Sequence, residues 1–112
     1  MNTTPPKTII AKDPEKGVQV RTQLAAEYIR TGDLDSAKRS LDQALKVDSR
    51  DAKANMMMGI LLQQEGSKPN MEKADAYFKR AISSEPNNAQ ARNNYGTYLY
   101  QLQRYNDAIE QF

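Results

Sequence analysis

From Asp13 onward, apolar residues return at helical spacing, and the helical runs come in pairs. Leu24-Ala25-x-x-Tyr28, Met58-Gly59-x-x-Leu62 and Tyr95-Gly96-x-x-Leu99 each set a large residue, a small one, and a second large one three positions later. A second pattern follows each of them: Ala37-x-x-x-Leu41-x-x-Ala44, Ala74-x-x-x-Phe78-x-x-Ala81, and Ala108-x-x-x-Phe112. Paired runs recurring in one order every ~34 residues are an internal repeat, and a repeat decides the architecture before any single element does. The pattern predicts five complete helices and a partial sixth, near 14–31, 34–47, 52–65, 71–84, 89–102 and 106–112, with no strand.

The physical content of the pattern is close packing. Small side chains at Ala25, Ala37 and Ala44 let two antiparallel helices approach, while Leu24, Tyr28 and Leu41 fill the flanks. Asp13-Pro14 reads as an N-cap followed by Pro in the first turn, and Gly32-Asp33 as a turn that also caps the next helix. Pro86, in Glu85-Pro86-Asn87-Asn88, cannot continue a helix and closes the second pair. The second repeat is longer, and its extra residues are an insertion around Gly66-Ser67-Lys68-Pro69-Asn70, between the helices expected near 52–65 and 71–84. Residues 1–12, with Pro5-Pro6 and only Ile9-Ile10 as an apolar cluster, are expected to be a flexible tether.

Charge and composition remove several functions. Lys and Arg number 16 against 14 for Asp and Glu, a formal charge of +2, with acids and bases interleaved as in Asp35-x-x-Lys38-Arg39-x-x-Asp42. That is a solvated helix face and no footprint for nucleic acid. With no Cys and no His, disulfides, thiolate nucleophiles and the usual soft metal sites are excluded. Met56-Met57-Met58 is read as packing, since a thioether copper site would want His or Cys nearby. The serines have no His to activate them, so no enzyme, cofactor or metal is expected. No apolar run approaches the ~18 residues of a membrane span.

These motifs resemble the tetratricopeptide repeat family. The resemblance covers residues 18–51, 52–88 and 89–112, the last repeat breaking off within its second helix, inside a domain placed at 13–112. It implies an all-α fold of antiparallel helical hairpins stacked as a right-handed superhelix, an α-solenoid. Ala108, Ile109 and Phe112 form an apolar face that a further helix should cover, so the chain is expected to be part of a longer array whose last segment frays or packs on a second chain. Tyr28, Tyr95 and Tyr105 fall on packing positions.

The resemblance also implies a concave surface lined by the first helix of each pair, which binds a protein partner. The positions are Gln19, Thr22, Ala26, Ile29 and Arg30; then Lys53, Met56, Ile60, Gln63 and Gln64; then Gln90, Asn93, Thr97, Tyr100 and Gln101. An apolar middle row with an amide rim suits an amphipathic helix or an extended apolar peptide. Ile29 and Ile60 fit packing against neighbouring helices equally well, and the sequence leaves both readings open. The two-Lys, two-Asn, one-Arg carboxylate clamp of chaperone-binding repeat proteins does not match: its positions here carry Thr22, Ala26, Met57, Gln90 and Asn94.

A narrower resemblance rests on Ala91-Arg92-Asn93-Asn94-Tyr95-Gly96-x-Tyr98-Leu99-Tyr100, on Arg104-Tyr105-x-x-Ala108, and on Leu24-Ala25-x-x-Tyr28-Ile29-x-x-Gly32-Asp33. These are similar to the type IV pilus biogenesis lipoproteins of the PilF/PilW type, the pilotins. Membership would imply a lipid-anchored protein on the periplasmic face of the bacterial outer membrane that helps the secretin localise and assemble. The Pro-containing start would follow a removed signal and a lipidated Cys. The other classes are a generic adaptor scaffold and the repeat portion of a larger protein, and the upstream codons discriminate among them.

Overall fold

The computed structural model describes residues 13–112, except for the side chains of Tyr105 and Asn106. The expected tether at 1–12 and the expected packing of Tyr105 lie outside the described residues. Six helices follow one another, with no strand among the described residues: α1 Pro14–Thr31, α2 Leu34–Val47, α3 Ala52–Glu65, α4 Lys68–Ser84, α5 Ala89–Gln101 and α6 Tyr105–Gln111. Packing divides the chain into two compact units, Met1–Ser49 and Arg50–Phe112. The first holds the α1/α2 hairpin; the second holds α3/α4 and α5/α6, with α5 packed on both α3 and α4.

Side-chain caps start five of the six helices. Asp13, Asp33, Asp51, Ser67 and Asn88 each accept from the backbone N–H three residues on, satisfying one of the donors that a helix start orphans. α6 has Arg104 at its N-cap position and no such bond. α4 starts at Lys68, a little before the expected start near 71. Gly66 closes α3 in the left-handed region (φ 75°), Ser67 caps α4, and Pro69 sits in its first turn, where its missing N–H costs nothing. The extra residues therefore lengthen a helix rather than a loop.

The α3/α4 and α5/α6 hairpins are each closed by a small-on-large contact. A Cβ on Gly59 would meet Phe78 Cζ at 2.9 Å, and one on Gly96 would meet the Phe112 ring at 2.6 Å. In the first hairpin the corresponding positions carry Ala25 and Leu41, both fully buried. A methyl is added on one helix and a ring reduced on the other. Phe78 is then enclosed by Tyr95 and Tyr98, at centroid distances of 5.8 and 5.3 Å. Both phenols find partners: Tyr95 donates to Asp75 at 2.8 Å and Tyr98 to the Met71 carbonyl. Met58, Leu61, Leu62 and Leu99 complete the apolar interior of this unit. Leu24 was expected to fill a flank but is 38% exposed.

The three hairpin turns occupy equivalent places, and all need a left-handed residue: Gly32 (φ 86°), Gly66 (φ 75°) and Gln103 (φ 62°). Around the first and third the bonds match. Asp33 N–H donates to the Tyr28 carbonyl and Arg104 N–H to the Leu99 carbonyl, the C-terminal motif glycine usually closes. Gln103 holds that conformation against its own Cβ.

Two stability tests follow from this packing. Gly59→Ala should cost about 1–3 kcal/mol by overpacking against an enclosed ring. Phe78→Leu in the same chain should recover a measurable part of the loss, reproducing the Ala25/Leu41 combination; urea titration of both variants and the double variant reads the coupling. Gln103→Gly should raise stability by about 0.5–1 kcal/mol, seen as a higher Tm, because it removes the left-handed penalty.

Candidate partner-binding faces

In the first unit the expected groove residues divide sharply. Thr22 is 2% exposed, and its Oγ1 donates to the Val18 carbonyl at 2.6 Å, so it offers a partner no surface. Ala26 and Arg30 are exposed and Ile29 half-buried. Arg30 is held by Glu27 at 2.8 Å, which draws the Glu27 carboxyl below the usual carboxylate range. A fully exposed pair like this adds little to stability.

In the second unit Met56 is 3% exposed, which corrects its expected role as an accessible flank of the groove. α3 is buried on most sides, and the Met56-Met57-Met58 run is interior throughout. Sequence spacing alone missed this because it assigns one face per position, and a helix sandwiched between others buries several. What remains accessible is one strip: Lys53, Ile60, Gln63 and Gln64 on α3, with Asn93, Thr97, Tyr100 and Gln101 on α5. Ile60 and Gln63 are half-buried and the others exposed. The two helices meet along it, where Gln63 Nε2 donates to Gln101 Oε1. Positions 93, 97, 100 and 101 share a helical stripe. Tyr100, at 62% exposure, presents most of its ring to solvent.

Two polar arrangements were not anticipated. Asn55 is completely buried on α3; its Nδ2 donates to the Asp51 carbonyl at 2.9 Å, and Arg80 Nη1 on α4 donates to its Oδ1 at 3.4 Å. Nothing in its spacing distinguished it from a surface amide. The second is a cleft of about 440 Å³ lined by Lys79, Ile82, Arg92, Tyr95, Leu99, Arg104, Asp107, Glu110 and Gln111. Its cations are already engaged: Lys79 and Arg104 with Asp75 (3.0 and 3.7 Å), Arg104 with Asp107 (3.0 Å), and Arg92 with Gln111 Oε1 (3.2 Å). The cleft is an internal brace rather than an anion site. No group of three or more acidic, His or Cys side chains able to hold a metal occurs among the described residues.

Helical hairpins that spend their interior on packing, and leave a shallow strip of amides and one aromatic ring accessible, define a protein-interaction module. Models of the tetratricopeptide repeat match residues 22–70 and 77–110, and the chain belongs to that family. It is 32% identical over 106 residues to the type IV pilus assembly protein PilF of Pseudomonas aeruginosa, covering 95% of this chain and 40% of that protein. The solved structure of Pseudomonas aeruginosa PilF superposes with a TM-score of 0.81 at 30% identity, covering 87% of this chain and 42% of that one. MamA shares the fold, with a TM-score of 0.75 at 23% identity, covering 95% of this chain and 60% of that one. The chain thus spans less than half the length of PilF. No helix among the described residues is long and apolar enough to cross a membrane.

Burial raises the pKa of the Tyr95 hydroxyl well above its ordinary value near 10, with the Asp75 carboxylate adding to the effect, and burial raises that of Tyr98 as well. A raised folded-state pKa means the unfolded chain ionises first. Stability from both phenols is therefore complete below pH ~10 and lost as pH rises beyond it. Tyr95→Phe should flatten the alkaline limb of a Tm-against-pH curve while lowering Tm at neutral pH through the lost hydrogen bond to Asp75.

Proposed function

We propose that this chain is the repeat domain of a pilotin: a periplasmic protein, lipid-anchored to the bacterial outer membrane in its native form, that binds a segment of the type IV pilus secretin and helps the secretin localise and assemble. The observation that carries the reading is 32% identity across nearly the whole chain to a type IV pilus assembly protein. The accessible strip on α3 and α5 is the binding surface in the second unit. The strip supports recognition over catalysis, because its side chains are amides, a hydroxyl, a phenol, an isoleucine and one exposed lysine, with no paired acid and base among them.

Binding is tested with the purified chain and the cognate secretin by calorimetry. Tyr100→Asp, at an exposed position, should leave the melting curve unchanged and weaken binding about tenfold or more, since central aromatic anchors carry much of an interface's energy. Ile60→Asp should do the same once wild-type helicity is verified. Lys38→Asp on α2 should leave affinity intact. Wild-type affinity in a folded Tyr100→Asp protein removes the strip as the site, and failure of the wild-type chain to bind secretin at all removes the pilotin reading.

A further inference from the structure

One stripe of α1 is apolar and uncovered. Val20, Leu24 and Tyr28 recur every four residues and share a face. Their counterparts in the later repeats are Ala54, Met58 and Leu62 on α3, and Ala91, Tyr95 and Leu99 on α5, and all six are buried. Val20 and Tyr28 are only half-buried, and Leu24 is 38% exposed. The stripe also holds a polar orphan. Arg21 Nε is buried without a hydrogen-bond partner, which is a costly state. Its counterpart Arg92 spends the same atom on the Pro86 carbonyl at 2.5 Å. Pro86 belongs to the link 85–88 that leads into α5. A guanidinium at this position reads the backbone of the segment entering its helix.

The residues ahead of α1 do not suit a helix as cover. Links of four residues separate α2 from α3 and α4 from α5. A helix ending at that distance before the first repeat would run through Pro5-Pro6, which remove two donors from its interior. The same stretch does offer Ile9-Ile10, β-branched and suited to extended backbone. Extended chain covers about 3.3 Å per residue, so four residues bring Ile9 up to about 13 Å back from Asp13 along α1. Val20 and Leu24 lie about 9 and 15 Å along the axis from Pro14, and their side chains lean toward the helix start. We propose that residues 8–11 fold back along α1 in extended form, seating the Ile9-Ile10 pair across Val20 and Leu24 and setting a backbone carbonyl on Arg21 Nε. Part of the stretch expected as a tether is then a cap, closing for α1 the face that α4 closes for α5. The proposal stands apart from secretin binding.

The sequence has no cysteine, so cross-linking tests the contact directly on the whole chain. Leu24→Cys is combined with Ile9→Cys and, separately, with Ile10→Cys. At least one pair should oxidise to an intramolecular disulfide about tenfold or more faster than the same partner with Ala26→Cys, because seating raises the effective concentration on one side only. Ala26 is exposed, at nearly the same height on the far side of α1. Equal rates to both sides are what an unseated tether gives, and they overturn the proposal. Disulfide-linked dimers in place of intramolecular bonds also overturn it and hand the face to a second copy. Ile9→Asp should lower Tm by about 4 °C or more. Leu24→Asp should remove that sensitivity, because both changes break one contact, whereas additive shifts overturn the proposal. Followed by NMR, the Arg21 Nε–H should exchange with water about tenfold faster in Ile9→Asp than in the unaltered chain, as its carbonyl partner leaves. An unchanged exchange rate overturns the seating of the segment on Arg21.

Discussion

The contact between Gly59 and Phe78 sets the distance between two helices, and the rest of the second unit follows from that distance. A backbone bare of side chain lets the face of a ring lie against it; the ring is then large enough to project beyond its own hairpin and meet Tyr95 and Tyr98 of the next. One residue thus closes a hairpin and supplies the knob for the following one. That explains why a repeat of this kind needs no large central core: each unit is stabilised by what its neighbour inserts. The phenol groups add direction, because Tyr95 and Tyr98 reach α4 through hydrogen bonds at Asp75 and Met71 and fix the angle at which α5 lies on it. Phe112 repeats the first half of the device, ring against Gly96, and at 67% exposure shows how little a single hairpin encloses.

Most of the fold was legible in the sequence because it is written in spacing. The small and large positions recur, and Asp, Ser, Asn, Gly and Pro mark helix ends by mechanisms that act within a few residues. The expected start of α4 falls a little late because Gly-Ser-Lys-Pro-Asn, taken whole, reads as an insertion between helices. Divided at Ser67, it is a helix end followed by a cap and an N-terminal proline. The binding strip was legible in part. Spacing placed Asn93, Thr97, Tyr100 and Gln101 on one stripe, and the structure keeps them exposed. It failed for Thr22 and Met56, whose burial depends on which neighbours surround a helix, a nonlocal fact absent from any single window. Leu24 fails in the opposite sense, partly open at a position that is interior where Met58 and Tyr95 stand.

The split between interior and strip separates stability from recognition. Stability resides in alanines, glycines, rings and one buried asparagine, which tolerate little change. The strip residues Asn93, Thr97, Tyr100 and Gln101 are exposed, so altering them costs the fold little. Surface residues can differ while such hairpins stay superposable: MamA shares the fold at 23% identity.

The early start of α4 has one further consequence. Counted back from Phe78, Ala74 keeps the position relative to the ring that Ala37 holds relative to Leu41, so the longer repeat leaves the packing register untouched and the added residues overhang it. Lys68 and Pro69 sit exposed on that overhang, and Asn70 Nδ2 ties it back to Glu65 at 2.6 Å. The protein therefore carries a helical ledge that takes no part in the core. A fluorophore, a cross-linker or a short graft attached at Lys68 would report on the second unit without disturbing it.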